Sequence, residues 1–309
     1  MSPPLTTRRD VLRLLAASAA GFALPLPTLA EEPTMLRRKI PKSGESIPAV
    51  GLGTYRAFDL EASEAAEWTR AKEALRRFAA AGATLVDSSP MYGKAEAAIG
   101  ALVEENGLQG KLFLATKVWI EGREAGVAQM ESSLAKLRTG RLDLIQVHNL
   151  LDVEVHLKTL AAWKREGKVR YVGVTHWRDD AHDELARCLE AHELDFVQLN
   201  YSARERAAEN RLLKVAANRG VAVIANRPFG AGELFKRAAG KPLPEWAGEI
   251  GAASWAQLFL KYVLSHPAVT CAIPASRKPE HVIDNLGAAT GPLPDDKQRA
   301  RIAGLVDGL

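Results

Sequence analysis

Residues 142–175 carry the decisive pattern. Leu142-Asp143-Leu144-Ile145-Gln146-Val147-His148 is followed by a helical stretch over 155–164 with Leu157, Leu160 and Ala161 on one face, and then by Val169-Arg170-Tyr171-Val172-Gly173-Val174-Thr175. Strand, amphipathic crossover and strand make a βα unit whose two strands run parallel. The unit repeats on both sides. Apolar runs at 50–54, 84–88, 112–117, 196–200, 221–225 and 269–274 bring the strands to eight. Helical periodicity fills 65–80, 95–105, 124–137, 183–190, 210–217, 254–264 and 280–286. The longest gap, before the last strand, holds an insertion over 230–251 with one short helix at 233–239. Eight consecutive units predict an α/β chain closed into a (β/α)8 barrel of the TIM type. Upstream, residues 39–47 turn at Ser43-Gly44 and predict an N-terminal β-hairpin that plugs the barrel floor. The competing open, doubly wound sheet is weak: Gly51-Leu52-Gly53-Thr54-Tyr55 lacks the third glycine of a dinucleotide fingerprint, and its helix begins later.

Composition agrees with one large globular domain. Of 309 residues, 47% are hydrophobic and 25% charged, which excludes collagen-like, low-complexity and multi-span membrane chains. The formal charge is +4, and residues 1–30 supply half of it through Arg8, Arg9, Arg13 and Asp10. So small a surplus, without blocks of like charge, predicts no nucleic-acid partner and no anionic membrane surface. Cys188 and Cys271 form no CxxC and no Cys/His cluster, so neither a disulfide scaffold nor a metal site is expected.

Residues 1–30 read as a separate device. Thr6-Thr7-Arg8-Arg9-Asp10-Val11-Leu12 leads into a modestly apolar run broken by Pro25 and Pro27 and ending at Ala30. This is the layout of an export signal of the twin-arginine type, read by a translocase that carries folded proteins. The run is too short and too interrupted for a stable membrane span. The expectation is a signal peptide over 1–30, a barrel domain over 31–309, and a periplasmic or exported product.

A barrel of this kind does its chemistry at the C-terminal ends of its strands. Asp87 ends the second predicted strand, with Tyr92 on the loop beyond; Lys117 ends the third and His148 the fourth. Each has a bland explanation alone, as a cap, a packed loop ring or a solvated strand end. Together they suit one reaction. Asp87 keeps Lys117 charged in a cleft, the ammonium lowers the pKa of the Tyr92 phenol, and His148 orients a substrate oxygen. The set protonates a carbonyl oxygen while another group attacks the carbon. Two other readings stay open: an exported nucleotide-holding sensor or binding module with little turnover, and a Schiff-base aldolase using Lys117 as nucleophile.

The Gly51–Tyr55 strand, Asp87 with Tyr92, Ala115-Thr116-Lys117, His148, 167–174, Val197-Gln198-Leu199-Asn200-Tyr201 and Ile273-Pro274-Ala275-Ser276 occur in an order that resembles the aldo-keto reductases. The resemblance runs from about Ile40 to Leu286. It implies NADPH-dependent reduction of an aldehyde or ketone to an alcohol, with NADH a weaker candidate. Tyr92 is then the proton donor, Lys117 and Asp87 its tuning pair, and His148 the carbonyl-orienting residue. It implies a cofactor held by Thr54, Tyr55, Thr175, His176 and Gln198 at the nicotinamide, by Asn226, Arg227 and Pro228 after the seventh strand, and by Ser276, Arg277, Lys278, Asp284 and Asn285 at the adenosine. The serine and two cations before a helix favour a phosphate, hence NADPH. The chain departs from the family pattern at Thr175-His176, where Ser-Asn is usual, and at Asn226, where a tyrosine commonly stacks on the nicotinamide. Tyr55, Trp119, Asn149, Trp177 and Phe229 are the expected walls of a pocket for a small or flat carbonyl compound, and the glycines of the insertion suggest a lid.

Overall fold

The computed structural model describes residues 35–309. The predicted signal peptide lies outside the described residues. A short antiparallel hairpin comes first, β1 (Arg37–Lys39) against β2 (Ser46–Pro48), with Gly44 at φ 75° in its turn. Alternation then begins: β3 (Leu52–Gly53), α1 (Ala65–Ala80), β4 (Leu85–Asp87), α2 (Ala95–Glu105), β5 (Phe113–Val118) and α3 (Arg123–Lys136). It continues through β6 (Leu142–His148), α4 (Val153–Arg165), β7 (Val169–His176), α5 (His182–Ala191), β8 (Phe196–Asn200), α6 (Leu212–Asn218) and β9 (Ala222–Asn226). The last elements are α7 (Glu233–Ala238), α8 (Trp255–Ser265), β10 (Val269–Ala272), α9 (Pro279–Gly287) and α10 (Asp296–Asp307).

The eight strands β3 to β10 lie side by side in chain order, every neighbouring pair parallel. The first and last meet through bridges Val50↔Ala272 and Gly53↔Ala275. Gly51 N donates to Ala272 O at 2.8 Å and Gly53 N to Pro274 O at 3.0 Å across the same seam. The sheet thus curls until its edges join, which removes them as pairing surfaces.

Two apolar cores result. Strand residues facing the helices pack with Leu75, Phe78, Ile99, Leu160, Leu185, Leu213, Phe259 and their neighbours. Inward-facing Leu85, Phe113, Leu144, Tyr171, Phe196 and Ile224 form a second cluster that also contains Ile40 and Ile47 from either side of the hairpin turn.

Several boundaries move from the sequence reading for physical reasons. The last strand stops at Ala272 because Pro274 has no N–H to give a ladder. The sixth helix starts at Leu212, after a 3-10 turn over Ala207–Glu209. A terminal helix, α10, was not anticipated; it buries only Ile302 and Val306 and starts on a capping box between Asp295 and Gln298. The insertion is not a loose flap. Leu234, Ala238, Ala247 and Ile250 are buried in the outer core, so its glycines do not make it a freely hinged lid.

Candidate active site

Alternation along β4 and β5 turns Asp87 and Lys117 to one interior end of the barrel, where the two are 2% and 0% exposed. Lys117 Nζ donates to Asp87 Oδ2 at 2.6 Å and to Ser88 O at 2.8 Å. The other carboxylate oxygen, Oδ1, accepts from Gln198 Nε2 at 2.8 Å and from Gln146 Nε2 at 3.3 Å. Thr54 Oγ1 donates to Asp87 O and Ser88 Oγ, both at 3.0 Å. A charged pair in an apolar barrel is tolerable only with its remaining hydrogen-bonding capacity filled, and here Ser88, Gln146 and Gln198 fill it.

Tyr92 lies over this pair on the loop between β4 and α2. Lys117 Nζ is 4.9 Å from the centre of its ring, and the rings of Tyr55 and His148 lie 5.0 and 6.4 Å away. The predicted tetrad is therefore one cluster. The expected sign of the Tyr92 shift is corrected, however. Burial raises the phenol above its ordinary value, and the opposing pull of the Lys117 ammonium does not overcome it. Burial likewise works to depress Lys117, but the attraction of Asp87 and Tyr92 outweighs it and the amine is held above its usual value. An amine so firmly protonated is a poor nucleophile, which disfavours the Schiff-base reading.

His148 is pushed down to about 3 by burial first and then by the charges of Lys117 and His176, so its imidazole is neutral. Its Nδ1 lies 3.4 Å from Ser89 Oγ, which itself accepts from Met91 N at 3.2 Å. A hydroxyl donating to Nδ1 leaves the ring proton on Nε2, the arrangement that donates to a substrate oxygen. Gln146, Ser88 and Ser89 are site residues that the sequence reading missed. The adjacency of Ser88-Ser89 to Asp87 was the available signal.

The remaining predicted residues divide. Thr175 is buried on β7 and its Oγ1 donates to Gln198 Oε1 at 3.4 Å, as does Asn226 Nδ2. Gln198 Nε2 is thus turned toward Asp87. Asn149, at φ 55°, and Asn226 each keep a buried Oδ1 without a partner. His176 is half-buried, its Nδ1 accepting Arg178 N at 3.1 Å. Arg227, at φ 48°, lies over the ring of exposed Trp177 at 5.1 Å, Pro228 is buried, and Phe229 packs on Phe235. Trp119 lies against His148, ring centres 5.9 Å apart.

Ser276, Arg277 and Lys278 border a cavity of about 360 Å3, which Tyr55 also lines. Asp284 is not among the residues that line it; its carboxylate accepts from Ser254 Oγ and Gln257 Nε2, both at 2.8 Å, and so fastens α9 to the start of α8. Asn285 is buried beside it.

Known proteins are similar along the same length. Residues 49–307 match the model of the aldo/keto reductase family. The methylglyoxal reductase YeaE of Escherichia coli K12 is 30% identical over 260 residues, covering 81% of this chain and 89% of that protein. An aldo/keto reductase from Klebsiella pneumoniae, solved with NADP and acetate, superimposes with a TM-score of 0.72 at 26% identity over 85% of this chain and 93% of its own. Another Klebsiella pneumoniae aldo-keto reductase structure, with NADPH, gives 0.74 at 25% identity over 88% and 96%. With the tetrad gathered at the strand ends of a parallel eight-stranded barrel, the chain belongs to the aldo/keto reductase family.

Proposed function

We propose that this protein reduces small aldehydes or ketones to alcohols with NADPH. The observation that carries the reading is the buried Lys117–Asp87 pair beneath Tyr92, with a neutral His148 across the same mouth. The residues fit the cofactor. The unpaired amide oxygens of Asn149 and Asn226 require donors such as a carboxamide N–H, and the cavity beside Ser276, Arg277 and Lys278 suits a phosphate. Bound NADPH supplies a hydride to the carbonyl carbon. His148 Nε2 donates to the carbonyl oxygen and fixes its direction. Tyr92 gives that oxygen its proton as negative charge develops on it. The Lys117 ammonium then stabilises the phenolate, and Asp87, anchored by Gln146 and Gln198, keeps the ammonium in place.

As walls of the substrate pocket we propose Tyr55, Trp119, Asn149, Trp177 and Phe229, a mixed aromatic and amide set suited to a compact carbonyl such as methylglyoxal, the substrate in the name of the Escherichia coli relative. Purified protein should oxidise NADPH with methylglyoxal or 4-nitrobenzaldehyde. The Tyr92→Phe variant should lose about 10² to 10⁴ of that rate while still binding NADP+ in a fluorescence titration. Unchanged turnover in the variant would refute the assignment; tight nucleotide retention without carbonyl-dependent oxidation would favour the sensor.

Two further proposals concern the whole chain. The hairpin seals the barrel floor, since Ile40 and Ile47 belong to the interior cluster. Residues 1–30 form a cleaved twin-arginine signal, and residues 31–309 the exported barrel, folded and able to take up nucleotide before transport. Protein isolated from the native host should begin near Glu31, and intact N-terminal peptides in the soluble cytosol would count against it.

A further inference from the structure

A second concentration of charge lies next to the tetrad, in the cavity between the loop after β10 and the start of α1. Four cations line it, Arg56, Arg70, Arg277 and Lys278, together with one carboxylate, Glu67, on the first turn of α1. Arg277 Nε donates to Glu67 Oε2 at 2.5 Å, and Arg70 Nη1 to Glu67 Oε1 at 2.8 Å. Both carboxylate oxygens are therefore held by guanidinium groups that line the same cavity. Hydrogen bonding to Arg277 foremost, then the charges of Arg277, Arg70 and Lys278, holds the Glu67 carboxyl below its ordinary range despite partial desolvation, so it is ionised at neutral pH. Glu67 and Arg277 are 30% and 37% exposed, open enough for a ligand to reach and exchange partners.

A guanidinium fork binds carboxylate or phosphate, but not both on the same nitrogens. Glu67 thus occupies the donor that a phosphate entering this cradle would take. A doubly charged phosphate must displace Glu67 and then remain near its charge, whereas a neutral hydroxyl can simply donate to it. Discrimination between ligands commonly rests on such a repulsive element as well as on attractive ones.

We propose that Glu67 sets this protein's discrimination between NADPH and NADH. It stays on Arg277 and accepts a hydrogen bond from the ribose 2′-hydroxyl of NADH, and it is displaced from Arg277 by the 2′-phosphate of NADPH. The inference rests on reading Ser276, Arg277 and Lys278 as the adenosine-side cradle.

Calorimetric titration of the full chain with 2′,5′-ADP and with 5′-AMP isolates the 2′-phosphate from any turnover. In Glu67→Gln the preference for 2′,5′-ADP over 5′-AMP should rise about fivefold, the upper range for one exposed ion pair. In an Arg277→Ala background the same substitution should have a clearly smaller effect, because the competition for Arg277 is gone and only the repulsion by the Glu67 charge remains. A preference within about twofold of the native protein's, or an equal effect with and without Arg277, overturns the role of Glu67 and leaves the cradle standing. If the native protein binds neither nucleotide, the cradle reading falls, and the inference with it.

Discussion

His148 contributes to stability through its protonation state as well as to the site through its geometry. Its pKa is about 3 in the folded chain, far below the ordinary 6.5, because burial and the nearby Lys117 charge both oppose protonation. The sign follows from linkage. Below pH 6.5 the unfolded chain takes up a proton that the folded chain refuses, so this contribution is full above pH 6.5 and is lost as the pH falls toward 3. Replacing His148 by Gln removes that dependence. The loss of stability between pH 7 and about pH 4.5, measured by urea unfolding, should be about 2–3 kcal/mol smaller in His148→Gln than in the native protein. Parallel losses in the two proteins would show that His148 titrates normally. The tetrad itself was legible in the sequence, because ionisable residues at successive strand ends are rare and conspicuous. Its supports were not. Gln146 is an uncharged side chain within a strand, and only the closed barrel brings it to Asp87. The Tyr92 shift was misjudged in sign for a similar reason: sequence shows which charges are near but not how much water burial removes. Nor does anything in the chain order show that Asp284 accepts from Ser254 and Gln257.

Elements were the most legible level, since parallel strands buried on both faces read as apolar runs and their crossover helices keep a 3.6-residue period. Helices Ala65–Ala80 and Ala95–Glu105 and strands Leu142–His148 and Phe196–Asn200 fall where the periodicity puts them. The terminal helix escaped because its buried face is only Ile302 and Val306, too narrow for a periodic signal, although Asp295 and Gln298 had the spacing of a capping box. The seam between β3 and β10 was also hidden, and glycine makes it possible. A Cβ on Gly53 would stand 2.8 Å from Ile273 O and 3.4 Å from Ala275 Cβ, inside the span that holds Gly53 N to Pro274 O. The next residue, Thr54, donates from both its N and Oγ1 to Asp87 O. Gly53→Ala should therefore cost about 1–3 kcal/mol in urea unfolding and lower carbonyl reduction as well, because the displaced seam carries Thr54 away from Asp87. Gly140→Ala, with open space around its Cβ, is the control. Equal effects of the two substitutions would mean that the seam is not tightly packed.

At the scale of the whole barrel, stability and chemistry occupy opposite ends of the same strands. Leu85 begins β4 and belongs to the interior cluster, while Asp87 ends the strand and holds Lys117. Leu144 and His148 divide β6 in the same way. Ile40 and Ile47 enter that cluster from the hairpin, 0% and 2% exposed. If the hairpin seals the floor, its apolar side chains contribute to folding without touching catalysis. Ile47→Ala should then destabilise the chain by about 2–5 kcal/mol, the usual range for emptying a buried aliphatic site. In the folded temperature range its kcat/KM for carbonyl reduction should match that of the native protein. A cost near zero would mean that the barrel interior closes without the hairpin. A fall in kcat/KM with little loss of stability would mean that the two ends are mechanically coupled, and that the floor shapes the site it was thought only to support.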